Sequence, residues 1–170
     1  MRSTTVLSLL AAMSFAGPVL AQSGSATATL TDTSGVTLGT VTIMEMDGGV
    51  HLSGTLTGVP NGEHGFHFHE TGQCDAAGGF ESAGAHFNPD SHQHGTENPQ
   101  GPHAGDLQNV TANDDGEATV DLHSAATNIA ALNDADGTAL VLHADPDDYA
   151  TDPSGNSGDR IACGVLEFAQ

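Results

Sequence analysis

The sequence predicts an all-β domain, a sandwich or barrel of short antiparallel strands. Three observations carry this reading. Apolar and polar residues alternate at period two in several stretches, helical periodicity is scarce, and Gly/Asp/Asn turn signals separate the stretches. The chain has 170 residues, enough for one domain with a real core, and no repeat or linker divides it.

Residues 1–21 read as a secretory signal peptide ahead of that domain. Arg2 gives a short positive start, and Val6 to Leu20 is mostly apolar but too short to span a bilayer. Val19-Leu20-Ala21 places small residues for a cut near Ala21, so the mature domain is expected to cover residues 22–170. A buried N-terminal helix or strand is the competing reading; Gly17-Pro18 would break the helix, and a Ser/Gly/Thr-rich stretch follows. Nothing else is long and apolar enough to cross a membrane. The chain is therefore expected to be secreted or periplasmic.

The strands follow in order. In Val36–Met46, Gly39, Val41 and Ile43 share one parity. In Val50–Thr57, Val50, Leu52 and Leu56 face one way and His51, Ser53 and Thr55 the other. Asp47-Gly48-Gly49 between these two stretches is a hairpin signal. A second, Asn113-Asp114-Asp115-Gly116, precedes Ala118, Val120 and Leu122, which alternate with Thr119 and Asp121. Thr138–His143 and Ile161–Phe168 continue the alternation. Two segments break it: Thr71–Gly105, rich in Gly, Asn, Pro and His, and Ala144–Asp159, rich in Asp, Gly, Ser and Pro. Long loops without regular structure are uncommon unless they carry function. Asn109-Val110-Thr111 matches a glycosylation acceptor, a tripeptide too frequent by chance to carry weight.

Charge narrows the function. The net charge is −20, there is no lysine, and cleavage after Ala21 would leave Arg160 as the sole Lys or Arg. Such a surface repels nucleic acid and anionic membrane. It stays soluble at high salt, where its self-repulsion is screened, which points to a saline habitat, with an ordinary acidic secreted protein as the alternative. Two cysteines, Cys74 and Cys163, read as a disulfide in an exported protein. Thiolate metal ligation is the weaker alternative, because neither belongs to a C-x-x-C pair.

Histidine carries the strongest signal. His67, His69, His86, His94, His103 and His143, with Asp106, form a spaced set of borderline metal donors. Seven donors exceed one four-coordinate site and fall one short of two. The shortfall closes if a single imidazole serves two metals through its two nitrogens, which points to a paired-metal centre and redox chemistry. Gly65-Phe66-His67-Phe68-His69-Glu70 alternates strictly, so a strand would turn both histidines to one face and both phenylalanines to the core. His143 ends the apolar run Leu140-Val141-Leu142, and a buried imidazole there needs a partner. His86, His94, His103 and Asp106 offer three imidazoles and a carboxylate, a closed zinc-type set, against the alternative of a loose His-rich tract. His51, His64, His92 and His123 lie outside the set, with His51 and His123 on polar strand parities.

These residues carry a resemblance. Gly65–Glu70, Gly84-Ala85-His86-Phe87-Asn88-Pro89, Gly105-Asp106-Leu107, Leu140–His143 and Arg160-Ile161-Ala162-Cys163-Gly164-Val165 resemble, in order and spacing, the copper–zinc superoxide dismutases. Those enzymes are themselves standard examples of the β-sandwich architecture. The resemblance implies a Greek-key sandwich or barrel of about eight antiparallel strands with two long functional loops. It implies an oxidoreductase that converts superoxide to dioxygen and hydrogen peroxide. Copper would sit on His67, His69, His86 and His143, and zinc on His86, His94, His103 and Asp106, with His86 as the catalytic bridge. Asp147 would hydrogen-bond His67 and His94, Cys74 and Cys163 would form the family's disulfide, and Arg160 would orient the incoming anion. The family contains dimers and monomers, which leaves a homodimer open.

The chain departs from the family's expected electrostatics: Ala144–Asp159 holds five aspartates and no lysine. A secreted copper- and zinc-binding or delivery protein on the same scaffold is the alternative function. The full copper quartet, the shared His86 and Arg160 speak against it, since storage needs no anion guide. A structural β-domain with one zinc would leave His67, His69 and His143 unexplained.

Overall fold

The computed structural model describes residues 24–169; the expected signal peptide lies outside the described residues. Among the described residues nine strands and one α-helical turn follow in order, with two 3₁₀ turns, Ala76–Gly78 and Glu81–Ala83, in the long loop: β1 Ser25–Asp32, β2 Thr37–Met46, β3 Gly49–Thr57, β4 Gly62–His64, β5 Phe66–His69, β6 Val110–Ala112, β7 Glu117–Ser124, α1 Ile129–Leu132, β8 Ala139–His143 and β9 Arg160–Phe168. All pairings are antiparallel, in the order β4-β6-β7-β3-β2-β1-β9-β8-β5. The first and last strands of that order are joined by one residue, Gly65, so the sheet curls into a nearly closed barrel. That split of one strand into β4 and β5 raises the count to nine, against about eight expected.

The core follows the period-two pattern. Val41, Ile43, Val50, Leu52 and Leu56 are fully buried, and Phe66 and Phe68 join them from β5. Each such side chain contributes about 1.5–3 kcal/mol by leaving water. Asp47-Gly48 turns β2 into β3, with Gly48 at φ 87°, and Asn113–Gly116 turns β6 into β7.

β8 departs from the alternation expected for it: all five residues are buried. Its inner side chains, Leu140 and Leu142, enter the main core. Its outer ones, Ala139 and Val141, are covered by Phe80 and Ala83 of the long loop together with Cys163. The cover is stapled in place by the Cys74–Cys163 disulfide, whose Cα atoms are 5.7 Å apart at a sequence separation of 89. α1, a single turn, was not anticipated. Its Asn128 cap accepts from Ala131 N, and Glu45 accepts from Ile129 N. Among the described residues no helix is long and apolar enough to cross a membrane.

Candidate metal centre

β5 places His67 and His69 on one face, and β8 delivers His143 from the adjacent strand. The long loop 71–105 returns to β5 through main-chain bonds. Phe87 N donates to Phe68 O, Phe68 N to Gly105 O, and Gly105 N to Phe87 O, which sets His86 and Asp106 beside the strand. All six histidines and Asp106 are buried. They form two sets that share His86: His67, His69, His86 and His143, and His86, His94, His103 and Asp106. Within each set the donor atoms lie within 4.8 Å of one another.

Backbone and carboxylate partners choose the face each ring presents. His69 Nδ1 donates to Gly84 O at 2.9 Å and His143 Nδ1 approaches Gly158 O at 3.3 Å, which turns both Nε2 atoms inward, 3.3 Å apart. His67 Nε2 donates to Asp147 at 2.7 Å, leaving Nδ1 without a partner. His86 Nε2 is also unpartnered, while its Nδ1 lies 3.0 Å from Asp106 Oδ1. The Nδ1 atoms of His94 and His103 approach the same oxygen at 3.0 and 3.3 Å, the latter out of line for a hydrogen bond. Three orphaned, buried imidazole nitrogens are costly unless something binds them. The two converging sets match the donors copper and zinc take, so the residues fit both metals.

Burial sets the protonation. It pushes His67 down and His69 well down from the ordinary histidine value. Burial lowers His86 to about 4 against the pull of Asp106, and lowers His143 to about 3 with help from His67. These rings are neutral lone-pair donors at neutral pH. Burial opposes charge on His94 too, but hydrogen bonds to Asp106 and Asp147 outweigh it and raise this ring to about 9. Burial also works against an ionised Asp106, yet the close His103 ring and the bonds from His86, His94 and Gly95 N hold it far below the carboxylate range.

The profile of the family described as copper/zinc superoxide dismutase (SODC) matches residues 37–166. The chain belongs to this family. It is 42% identical over 145 residues to "Superoxide dismutase [Cu-Zn] 2" of Aquifex aeolicus, covering 82% of this chain and 84% of that protein. It is 41% identical to "Superoxide dismutase-like protein YojM" of Bacillus subtilis, covering 81% and 73%. Among solved structures it resembles the Cu/Zn superoxide dismutase from Brucella abortus, with TM-score 0.70, 30% identity, and 84% and 99% coverage. As a member of that family it is an oxidoreductase whose cofactors are copper and zinc.

Asp147 lies between the two donor sets. Its Oδ2 accepts from His67 Nε2, and its Oδ1 accepts from His94 Nε2 at 2.9 Å and Tyr149 N at 2.7 Å. Arg160 lines a cavity of about 530 Å³ with His69, His86 and His143. Its guanidinium donates to Phe80 O and Gly84 O, both at 2.8 Å. Gly84 O thus holds both a copper-type donor, His69, and the arginine. Glu81 and Asp159 line the same cavity. Glu81, 3.7 Å from Arg160, is exposed, so it offsets the arginine's charge only weakly.

Three positioning residues escaped the sequence reading. His64 is buried, with Nδ1 2.8 Å from His143 O and Nε2 2.7 Å from Pro60 O, and so ties the end of β8 to the β3–β4 loop. Its partners are carbonyls, which no side-chain pattern reveals. Asn109, noted only as a glycosylation tripeptide, is committed instead to Asp147: its Nδ2 donates to Asp147 O and its Oδ1 accepts from Asp147 N, both at 2.9 Å. Gly155, at φ 64°, leaves no room for a side chain: a Cβ would come 1.8 Å from Asp147 Oδ1 and 2.7 Å from His94 Nε2.

Proposed function

We propose that the chain dismutes superoxide at an imidazolate-bridged pair of metals. Copper would be held by His67 Nδ1 and the Nε2 atoms of His69, His86 and His143. Zinc would be held by the Nδ1 atoms of His86, His94 and His103 with Asp106 Oδ1. The observation that carries this is His86, whose Nδ1 joins the Asp106 set while its buried Nε2 is unpartnered on the other side. When bound, copper supplies one-electron cycling, so that one superoxide leaves as dioxygen and a second, with two protons, leaves as hydrogen peroxide, while zinc is redox-inert.

The residues supply the rest. His86 Nε2 takes up a proton in one half-cycle and gives it to the product in the other, while Nδ1 keeps the ring in place. Asp147 fixes the tautomers of His67 and His94 from a buried position. Arg160 offers a fixed positive charge to the anion in a cavity whose other charged lining is acidic. The disulfide fits an oxidising compartment, and export of the chain belongs to this reading.

The test is reconstitution of the chain with copper and zinc and measurement of catalysed superoxide decay across a salt series. A second-order constant near about 10⁸–10⁹ M⁻¹s⁻¹ supports the enzyme. Activity no better than free copper would favour a metal-binding protein on this scaffold.

A further inference from the structure

A row of side chains with potential metal donors lies on the outer face of the barrel. Ser25, Met44, His51 and His123 face one another in register across β1, β2, β3 and β7, and the next row of the same face pairs Ser53 with Asp121. The inward parity of these strands is the apolar core, so this row faces solvent. Met44 is 47% exposed, His51 is half-buried and His123 is exposed. Residues directly opposite on antiparallel strands have Cβ atoms roughly 4.5–5.5 Å apart. That spacing lets two imidazoles reach one ion.

Asp121 Oδ1 lies 2.7 Å from His51 Nε2. A carboxylate there holds Nε2–H and leaves Nδ1 as the lone-pair atom, the arrangement that orients a ligating histidine. His123, two residues after Asp121 on the same strand and opposite His51 in register, would complete the pair by rotation of its exposed side chain. No cation competes for the carboxylate, because Arg160 is the only Lys or Arg among the described residues and it is engaged with Phe80 and Gly84. The strongly negative surface raises the local concentration of metal cations.

We propose that His51 and His123, with Asp121 as the positioning partner of His51, form a separate, solvent-exposed site for a divalent transition-metal ion, with copper(II) preferred. Two imidazoles favour copper over zinc by the ordinary order of stabilities, and the Met44 thioether stands beside them as a soft donor. This site is independent of the buried centre and does not rest on its chemistry.

The experiment uses the full chain with the buried centre loaded with copper and zinc and free metal removed. Copper(II) sulfate is then titrated in and followed by electron paramagnetic resonance. One further ion with two-nitrogen coupling is expected. His51→Ala and His123→Ala should each lose about tenfold or more in its affinity, since either removes the chelate. Asp121→Asn should lose less, and the dismutation rate should be unchanged in all three variants. In the native chain, substoichiometric copper should broaden the imidazole C–H resonances of His51 and His123 together, a readout that needs no variant to fold. The site is disproved if no further ion binds, if it binds equally well to both histidine variants, or if broadening falls on other histidines alone.

Discussion

Replacing Asp147 with alanine should weaken zinc more than copper. The carboxylate accepts from two buried ring N–H groups, His67 Nε2 and His94 Nε2, and from Tyr149 N. Truncation orphans both rings at a cost of about 1–3 kcal/mol each, so the metal-free fold should lose about 2–6 kcal/mol. Lost orientation weakens a metal about 10–100-fold, or about 1.4–2.7 kcal/mol. The loss should fall unevenly because the two rings have different second anchors. His67 is on β5, fully buried, paired in register with Val141, with its ring centroid 4.0 Å from that of His86. His94 sits on a loop, and apart from Asp147 its ring hydrogen-bonds only the Asp106 carboxylate of its own donor set. Zinc affinity should therefore drop by the full factor and copper affinity by less than about tenfold. Competition of the full chain against chromophoric chelators, one metal at a time, measures both. Equal losses for the two metals, or unchanged zinc affinity, would refute the argument from scaffolding.

Arg160→Ala should cut the rate more than about tenfold at modest salt, because no other cation lines the cavity; an unchanged rate would remove Arg160 from the mechanism. The rate of the native chain should rise or stay flat with ionic strength, since the global field opposes an anion at low salt; a steep fall would contradict this. Metal-free stability should fall as pH drops from about 6.5 toward 4. His86 (about 4), His143 (about 3) and the depressed His69 take their protons first in the unfolded chain, so each contributes stability above 6.5 that is lost below it. His94 works the other way, being raised to about 9, and denaturant titrations at pH 8 and 5 read the sum. Cys163→Ser should cost up to about 4 kcal/mol for a loop of this length, seen as a lowered Tm, and should also reduce the rate because the Phe80 and Gly84 carbonyls lose their tether.

Much of this molecule was legible because its signals are local. Val50, Leu52 and Leu56 share a parity and a core, and His67-Phe68-His69 separates an imidazole face from the core face within three residues. The burial of β8 on both sides was harder to read. Its outer cover comes from Phe80 and Ala83, brought there by a disulfide and a loop path that leave no periodic trace. The roles of His64 and Asn109 depend on main-chain partners distant in sequence, namely Pro60 and His143 for one and Asp147 for the other. A carbonyl has the same chemistry on every residue, so only the fold says which one a side chain will meet.

That last point bears on Arg160. Its two acceptors are the main-chain oxygens of Phe80 and Gly84, and the Gly84 oxygen also receives His69 Nδ1. Side-chain substitutions along the loop can change its surface charge freely without removing either acceptor. What the position cannot tolerate is a change of path at residue 84, where φ is 77° and a Cβ would come 2.7 Å from Glu70 Cγ. The spacing between the Arg160 guanidinium and the His69 ring is thereby insulated from changes of charge in the side chains around it.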